Sequence, residues 1–117
     1  MYQIKTLNKI SPAGLNVLDS AKYTVSDNAE NPAAILVRSA KMHDMEFGSD
    51  LLAIARAGAG VNNIPVERCA EEGIVVFNTP GANSNAVKEL AICALLISSR
   101  KITEAANWAA SLKGTPD

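Results

Sequence analysis

Leu51-Leu52-Ala53-Ile54-Ala55-Arg56-Ala57-Gly58-Ala59-Gly60-Val61-Asn62-Asn63-Ile64-Pro65 is the stretch on which the reading of this chain turns. Leu51 to Ala55 is an apolar run of strand length, and it ends in two glycines separated by one small residue. Gly58 and Gly60 can take positive φ and, lacking a Cβ, let another group approach the backbone. Pro65 suits the first turn of a helix through Val66-Glu67-Arg68-Cys69-Ala70, expected to run to Glu72. A strand, a glycine turn and a helix start leave several amide N–H groups pointing one way, near the positive end of a helix dipole. Such a place suits an anion. On spacing alone, an ordinary βα turn that uses glycine only for geometry fits equally well.

Outward from this stretch, apolar segments alternate with helical ones. Tyr2 to Leu7 alternates apolar and polar residues and stops at Asn8, which reads as a first strand. Ser11 is a candidate N-cap with Pro12 at the first helical position and Leu15 and Leu18 on one face of a short helix. Tyr23-Thr24-Val25 gives a second strand, followed by the polar turn stretch Asn28 to Pro32. Ala33-Ala34-Ile35-Leu36-Val37 is a continuous apolar run, the pattern of a parallel strand buried on both faces. Arg38-Ser39-Ala40 follows at its carboxyl end, where open α/β sheets place ligand contacts; Arg38 could equally pair with a carboxylate such as Asp44. Met42 to Ser49 reads as loop with a turn of helix. After the glycine stretch, Gly73 is a C-cap and Ile74 to Phe77 a fifth strand. Five strands alternating with helices imply an α/β fold with a parallel sheet, and a flavodoxin-like strand order is expected.

Beyond Phe77 the character changes. Asn78-Thr79-Pro80-Gly81-Ala82-Asn83 is rich in turn formers, and Ser84 is a candidate N-cap for a helix from Ala86 to about Lys101. Its centre, Leu90 to Ile97, is apolar on every face, so burial is expected, against the sheet on one side and against another subunit or further chain on the other. It falls short of the roughly 20 apolar residues a bilayer span needs. Thr103 would cap a last helix, Glu104 to Lys113, stopped by Gly114-Thr115-Pro116.

With 117 residues and a net charge of −1, acidic and basic residues being interspersed, nothing argues for nucleic acid or a membrane surface as partner. The start, Met1 to Lys5, carries no signal-peptide pattern, so a cytoplasmic location is the default expectation. Cys69 and Cys93 lie among apolar neighbours without metal-ligand spacing, and buried free thiols are expected rather than a disulfide or a metal site.

The stretch Arg56 to Ile64, followed by Glu72-Gly73-Ile74-Val75-Val76-Phe77-Asn78-Thr79-Pro80 and Asn83-Ser84-Asn85-Ala86-Val87-Lys88-Glu89-Leu90, resembles the D-isomer-specific 2-hydroxyacid dehydrogenases. Within that family it is most similar to the branch that acts on 3-phosphoglycerate on the way to serine. The resemblance implies a substrate-binding domain over 1–80, and over 81–117 the hinge and first helices of a Rossmann nucleotide-binding domain. It implies hydride transfer between NAD and a D-2-hydroxy acid, with a homodimer built through the 86–101 helix. Gly58, Ala59, Gly60 and Val61 would hold the substrate carboxylate through their amides. Arg38, Ser39 and Asn83 would hold its other polar groups, and Ala59, Thr79 and Ser84 would face the nicotinamide. The family's dinucleotide fingerprint and its catalytic Arg, Glu and His have no match here, so the lone polypeptide is expected to be inactive and no catalytic residue is assigned. The single histidine, His43, does not match the catalytic position. Three further readings stay open: a stand-alone flavodoxin-like module that binds a small anion, a fragment of another D-2-hydroxyacid dehydrogenase, and a fragment whose Leu90 to Ile97 helix serves assembly.

Overall fold

The computed structural model describes residues 1–115. Its elements run β1 (Tyr2–Leu7), α1 (Pro12–Leu15), β2 (Tyr23–Ser26), β3 (Ala34–Val37), β4 (Ala53–Arg56), α2 (Val66–Glu71), β5 (Val75–Phe77), α3 (Ser84–Arg100) and α4 (Ile102–Ser111). They form two compact units, Met1–Ala82 and the segment from Asn83 onward.

In the first unit the five strands form one sheet in the order β2-β1-β3-β4-β5, and every pairing is parallel. This is the flavodoxin-like order. The register aligns Leu7 with Val37, Val37 with Arg56, and Ala55 with Phe77. The carboxyl ends of β1, β3, β4 and β5 are therefore level, and the loops that leave them emerge side by side.

One face of the sheet carries the core. Ile35 and Ile54 are register partners, and Val37 follows on the same face. Against them pack Met42, Leu51, Ile64, Cys69 and Ile74. Ile54, Val37, Met42 and Cys69 are fully buried, and each of the first three contributes about 1.5–3 kcal/mol by leaving water. The opposite face is thinner: Ala34, Ala53 and Val75 lie in one register row, and Val75 and Phe77 remain 53% and 56% exposed. Strand β3 thus buries alternate residues, Ile35 and Val37, where an unbroken apolar run suggests burial on both sides.

The segment from Met42 to Ser49 holds a single hydrogen-bonded turn, Met45 N–H donating to Met42 O at 3.2 Å, and no helix, yet it inserts Met42 wholly into the core. Its carbonyls are held from α2: Arg68 donates to the oxygens of His43 and Met45 and lies 4.2 Å from the Phe47 ring centroid. Arg68 Nε also stands 3.3 Å from Glu72 Oε1, an ion pair without hydrogen-bond geometry. Gly73, at φ 75°, follows Glu72 and ends α2 as a left-handed glycine should. Ser11 stands at the N-cap of α1 without a side-chain capping bond, and α1 stops at Leu15, before Leu18.

In the second unit the N-caps fall elsewhere than the sequence suggests. Asn83, not Ser84, precedes α3, and α4 starts at Ile102, ahead of Thr103. Lys101 alone separates the helices, in a left-handed conformation with φ 48°. No described residue of α3 or α4 is buried; Leu90, Leu95, Leu96 and Trp108 are all more than half exposed. The expected burial of α3 is therefore not met among the described residues. No helix among the described residues is long and apolar enough to cross a membrane. Pro116, expected to stop the last helix, lies outside the described residues.

Candidate anion-binding site

The ladder runs one residue past β4, where Ala57 N–H donates to Val37 O at 2.8 Å, and then it stops. Gly58, Ala59, Gly60 and Val61 follow, and none of their four N–H groups finds an acceptor among the described residues. Their carbonyls fare differently. Gly58 O accepts from Thr79 N at 3.0 Å, Ala59 O from Asn78 Nδ2 at 2.7 Å, and Val61 O from Ile64 N at 3.0 Å. Three of the loop's four carbonyls are thus satisfied by the protein, while all four donors are left over, which is the asymmetry an anion needs.

The glycines serve this loop in a way the sequence did not reveal. Neither Gly58 nor Gly60 has positive φ; those conformations belong to Gly73, Gly81 and Gly114. What the loop needs is room. A Cβ at Gly58 would stand 3.2 Å from Arg56 Nε, and one at Gly60 would stand 3.2 Å from Arg56 Nη1 and 3.3 Å from Asn62 Oδ1. The half-buried Arg56 lies along the loop, its Nε donating to Arg38 O at 3.0 Å and its Nη1 to Asn62 Oδ1 at 3.1 Å. Both acceptors are neutral, and no carboxylate among the described residues pairs with it. Arg56 is the site residue that sequence reasoning missed. The available signal was an arginine at the end of an apolar run, two residues before Gly-x-Gly.

The arch from Arg38 to Ala40 lies beside this loop. Asn8 Oδ1 accepts the three successive N–H groups of Arg38, Ser39 and Ala40, at 3.2, 2.9 and 2.9 Å. Asn63, 6% exposed, donates from Nδ2 to Ala40 O at 2.8 Å, and its own carbonyl accepts from Met42 N at 2.9 Å. The two loops are therefore stitched together on both sides. The Arg38 guanidinium is exposed and without a partner among the described residues, so the alternative pairing with Asp44 does not form. His43 places Nε2 3.0 Å from Asn62 O; a carbonyl only accepts, so that nitrogen carries the hydrogen.

The structure thus brings together Arg38, Ser39, Gly58 to Val61 and Thr79, all in the first unit. Asn83 and Ser84 belong to the second: Asn83 O accepts from Val87 N at 3.0 Å, and Ser84 is the first residue of α3. The helix dipole expected beside the amides is weak, because α2 has only six residues and the turn Val61 to Ile64 precedes it. A hollow of about 560 Å³, lined by Gln3, Asn31, Ala33 and Asp50, lies at the other end of the sheet.

Cys69 and Cys93 are free thiols, Cys69 buried and Cys93 exposed, which corrects the expectation that both are buried. Burial pushes the Cys69 thiol above its ordinary value, partly opposed by the Arg68 charge, so it is a neutral core group. Among the described residues no cluster of three or more His, Cys, Asp or Glu side chains could hold a metal.

Residues 6–113 match the family model described as D-isomer specific 2-hydroxyacid dehydrogenase, catalytic domain. The chain belongs to this family. A hydroxypyruvate reductase of Thermotoga maritima is 48% identical over 61 residues, covering 52% of this chain and 20% of that protein. A D-3-phosphoglycerate dehydrogenase of Archaeoglobus fulgidus is 43% identical over 75 residues, covering 62% of this chain and 14% of that protein. Among solved structures, NAD⁺-bound 3-phosphoglycerate dehydrogenase of Entamoeba histolytica superposes with a TM-score of 0.68 at 28% identity, over 82% of this chain and 38% of that one. The chain therefore spans well under half the length of these family members.

Gly58 to Asn63 does not have the sequence pattern of a dinucleotide site. Such a site needs a third glycine for close packing of helix on strand, and an acidic residue about 20 positions on. Here Asn63 is buried in place of that glycine, and Asn78 ends up bonded to Ala59 O.

Proposed function

We propose that this chain is the substrate-binding part of an NAD-dependent D-2-hydroxyacid dehydrogenase whose preferred substrate is 3-phosphoglycerate, oxidised to 3-phosphohydroxypyruvate. The observation that carries the reading is the row of four amides from Gly58 to Val61, unpaired among the described residues, beside two arginines that have no carboxylate partner among them. A substrate with a carboxylate and a phosphate offers two anionic groups to match. The amides would take the carboxylate, and Arg38, Ser39 and Asn83 the remaining polar groups, since charge-assisted bonds are the strong ones. The first unit is then the substrate domain and α3 and α4 open the nucleotide domain, with Ala59, Thr79 and Ser84 on the nicotinamide side. NAD and the acid–base chemistry belong to the rest of the enzyme, which would work in the cytoplasm. The test is an assay of the whole gene product with NAD and 3-phosphoglycerate, read as NADH formation. Absence of turnover with this substrate and with other D-2-hydroxy acids would overturn the reading.

The likeness to a hydroxypyruvate reductase favours a second reading within the same family, an unphosphorylated acid such as D-glycerate. The ratio of kcat/KM for 3-phosphoglycerate and D-glycerate decides between them. Under the first reading Arg38→Ala raises KM for 3-phosphoglycerate by about tenfold or more, the loss of one charge-assisted bond of about 1.5–3 kcal/mol. Tm should stay within a degree or two, because the side chain holds nothing else in place. An unchanged KM would remove Arg38 from the substrate grip.

The exposed apolar surface of α3 fits assembly as a homodimer. Leu96, 58% exposed, lines a groove between α3 and α4 with Ile102, Ala105 and Ala106. Leu96→Glu is expected to convert the gene product from dimer to monomer by light scattering. A dimer that survives this substitution would place the interface elsewhere.

A further inference from the structure

Asn8 directly follows β1 and holds φ 78°, in the left-handed region that few residues other than glycine, asparagine and aspartate enter readily. Its Oδ1 gathers the three N–H groups of Arg38, Ser39 and Ala40. The same arch is held from its carbonyls, Arg38 O by Arg56 Nε and Ala40 O by Asn63 Nδ2. With its backbone engaged on both sides, the arch keeps two polar groups that have no partner among the described residues, the Arg38 guanidinium and the Ser39 hydroxyl. The fold does not need these bonds to align its strands, because the β1–β3 register already closes at Leu7 and Val37. The Asn8 bonds act beyond that ladder, on the loop alone.

We propose that Asn8 is a positioning residue for anion recognition: its carboxamide oxygen fixes the Arg38–Ala40 arch so that Arg38 and Ser39 meet the ligand already oriented. This rests on the proposed role of Arg38 in gripping the substrate. Its backbone conformation and its side-chain acceptor are both required, and only a short side chain that tolerates positive φ supplies the two together. A preorganised arch spares the ligand the entropy of ordering a loop, so the loss should show in binding and not in turnover.

The experiment is a double-mutant cycle in the whole gene product. Asn8→Gly keeps the left-handed backbone accessible and removes the acceptor. It is expected to raise KM for 3-phosphoglycerate by about fivefold to tenfold while kcat changes less than about twofold. If Asn8 works through Arg38, Asn8→Gly added to Arg38→Ala raises KM no further than about twofold, because coupled residues are non-additive. Effects that multiply, or an unchanged KM in Asn8→Gly when Arg38→Ala does raise it, overturn the positioning role and leave the substrate reading intact. An unchanged KM in Arg38→Ala overturns both. Should Asn8→Gly fail to fold, amide hydrogen exchange of the unaltered protein still decides. The N–H groups of Arg38, Ser39 and Ala40 are expected to exchange at least tenfold more slowly than those of Gly58 to Val61. Equal exchange of the two sets overturns the proposal.

Discussion

Arg56→Ala is expected to lower kcat/KM for the proposed 2-hydroxy acid substrate by about a hundredfold in the whole gene product and to lower Tm as well. The double effect follows from where the guanidinium lies. Nε holds Arg38 O and Nη1 holds Asn62 Oδ1, so the side chain ties the arch after β3 to the loop after β4. Hydrogen bonds from a charged donor contribute about 1.5–3 kcal/mol each, and the half-exposed setting favours the lower end. Two such bonds give roughly the hundredfold loss. The same charge also lies along the row of unpaired amides, where its field adds to theirs. Arg56→Lys should recover only part of the activity, because an ammonium on a flexible stem cannot reach both acceptors at once as the planar fork does. The contrast with Arg38→Ala is the informative measurement. One arginine is unpartnered and should affect KM alone; the other is built into the loops and should affect KM and Tm together. If Arg56→Ala leaves Tm unchanged, its two bonds do not organise the site.

The sheet was legible because strands announce themselves locally. Apolar runs such as Ile35-Leu36-Val37 and Leu51 to Ala55, each closed by turn formers, needed no knowledge of distant residues. Their alternation with helical segments left few parallel topologies to choose from. The edges were less legible: Arg56 is the last residue of β4, and the charge that seemed to begin the loop in fact ends the strand. The site was half legible. Gly58 and Gly60 marked the place, but their reason is the guanidinium packed against them, a contact from a side chain that gave no periodic signal. Asn8 looked like a strand terminator; its three partners lie 30 to 32 residues further on, beyond the reach of any local pattern. Met42 sits in a stretch without periodicity and is nonetheless fully buried, because Arg68 and Asn63 hold that loop down by its backbone. Nothing in the sequence around Lys101 distinguishes it as a left-handed residue. Tertiary hydrogen bonds decided these positions, and single-chain patterning does not record them.

The second large effect is expected in the core. Ile54→Ala should destabilise the first unit by about 2–5 kcal/mol, since it removes three carbons from a fully buried position that has little means of collapsing. Ile54 is paired with Ile35 on one side and Val76 on the other, so the cavity opens in the middle of the parallel sheet. Against a typical total of about 5–15 kcal/mol, such a loss leaves a substantial fraction unfolded at physiological temperature. Ile54→Val should cost only about 0.5–1.5 kcal/mol, which separates lost volume from any general intolerance of substitution. Hydrogen exchange of the β3 and β4 amides in the whole gene product measures both. The same measurement links the core to the site. Ile54 lies two residues before Arg56 on one strand, so the loops proposed to hold the anion form only when β4 is paired. A ligand that binds the folded form alone must restore stability: at about a hundred times its Kd, 3-phosphoglycerate should return about 2.7 kcal/mol to Ile54→Ala. That recovery needs no catalysis and no nucleotide, so it probes the amide row directly. If saturating 3-phosphoglycerate leaves exchange in β3 and β4 of Ile54→Ala unchanged, the anion does not bind at the carboxyl edge of this sheet.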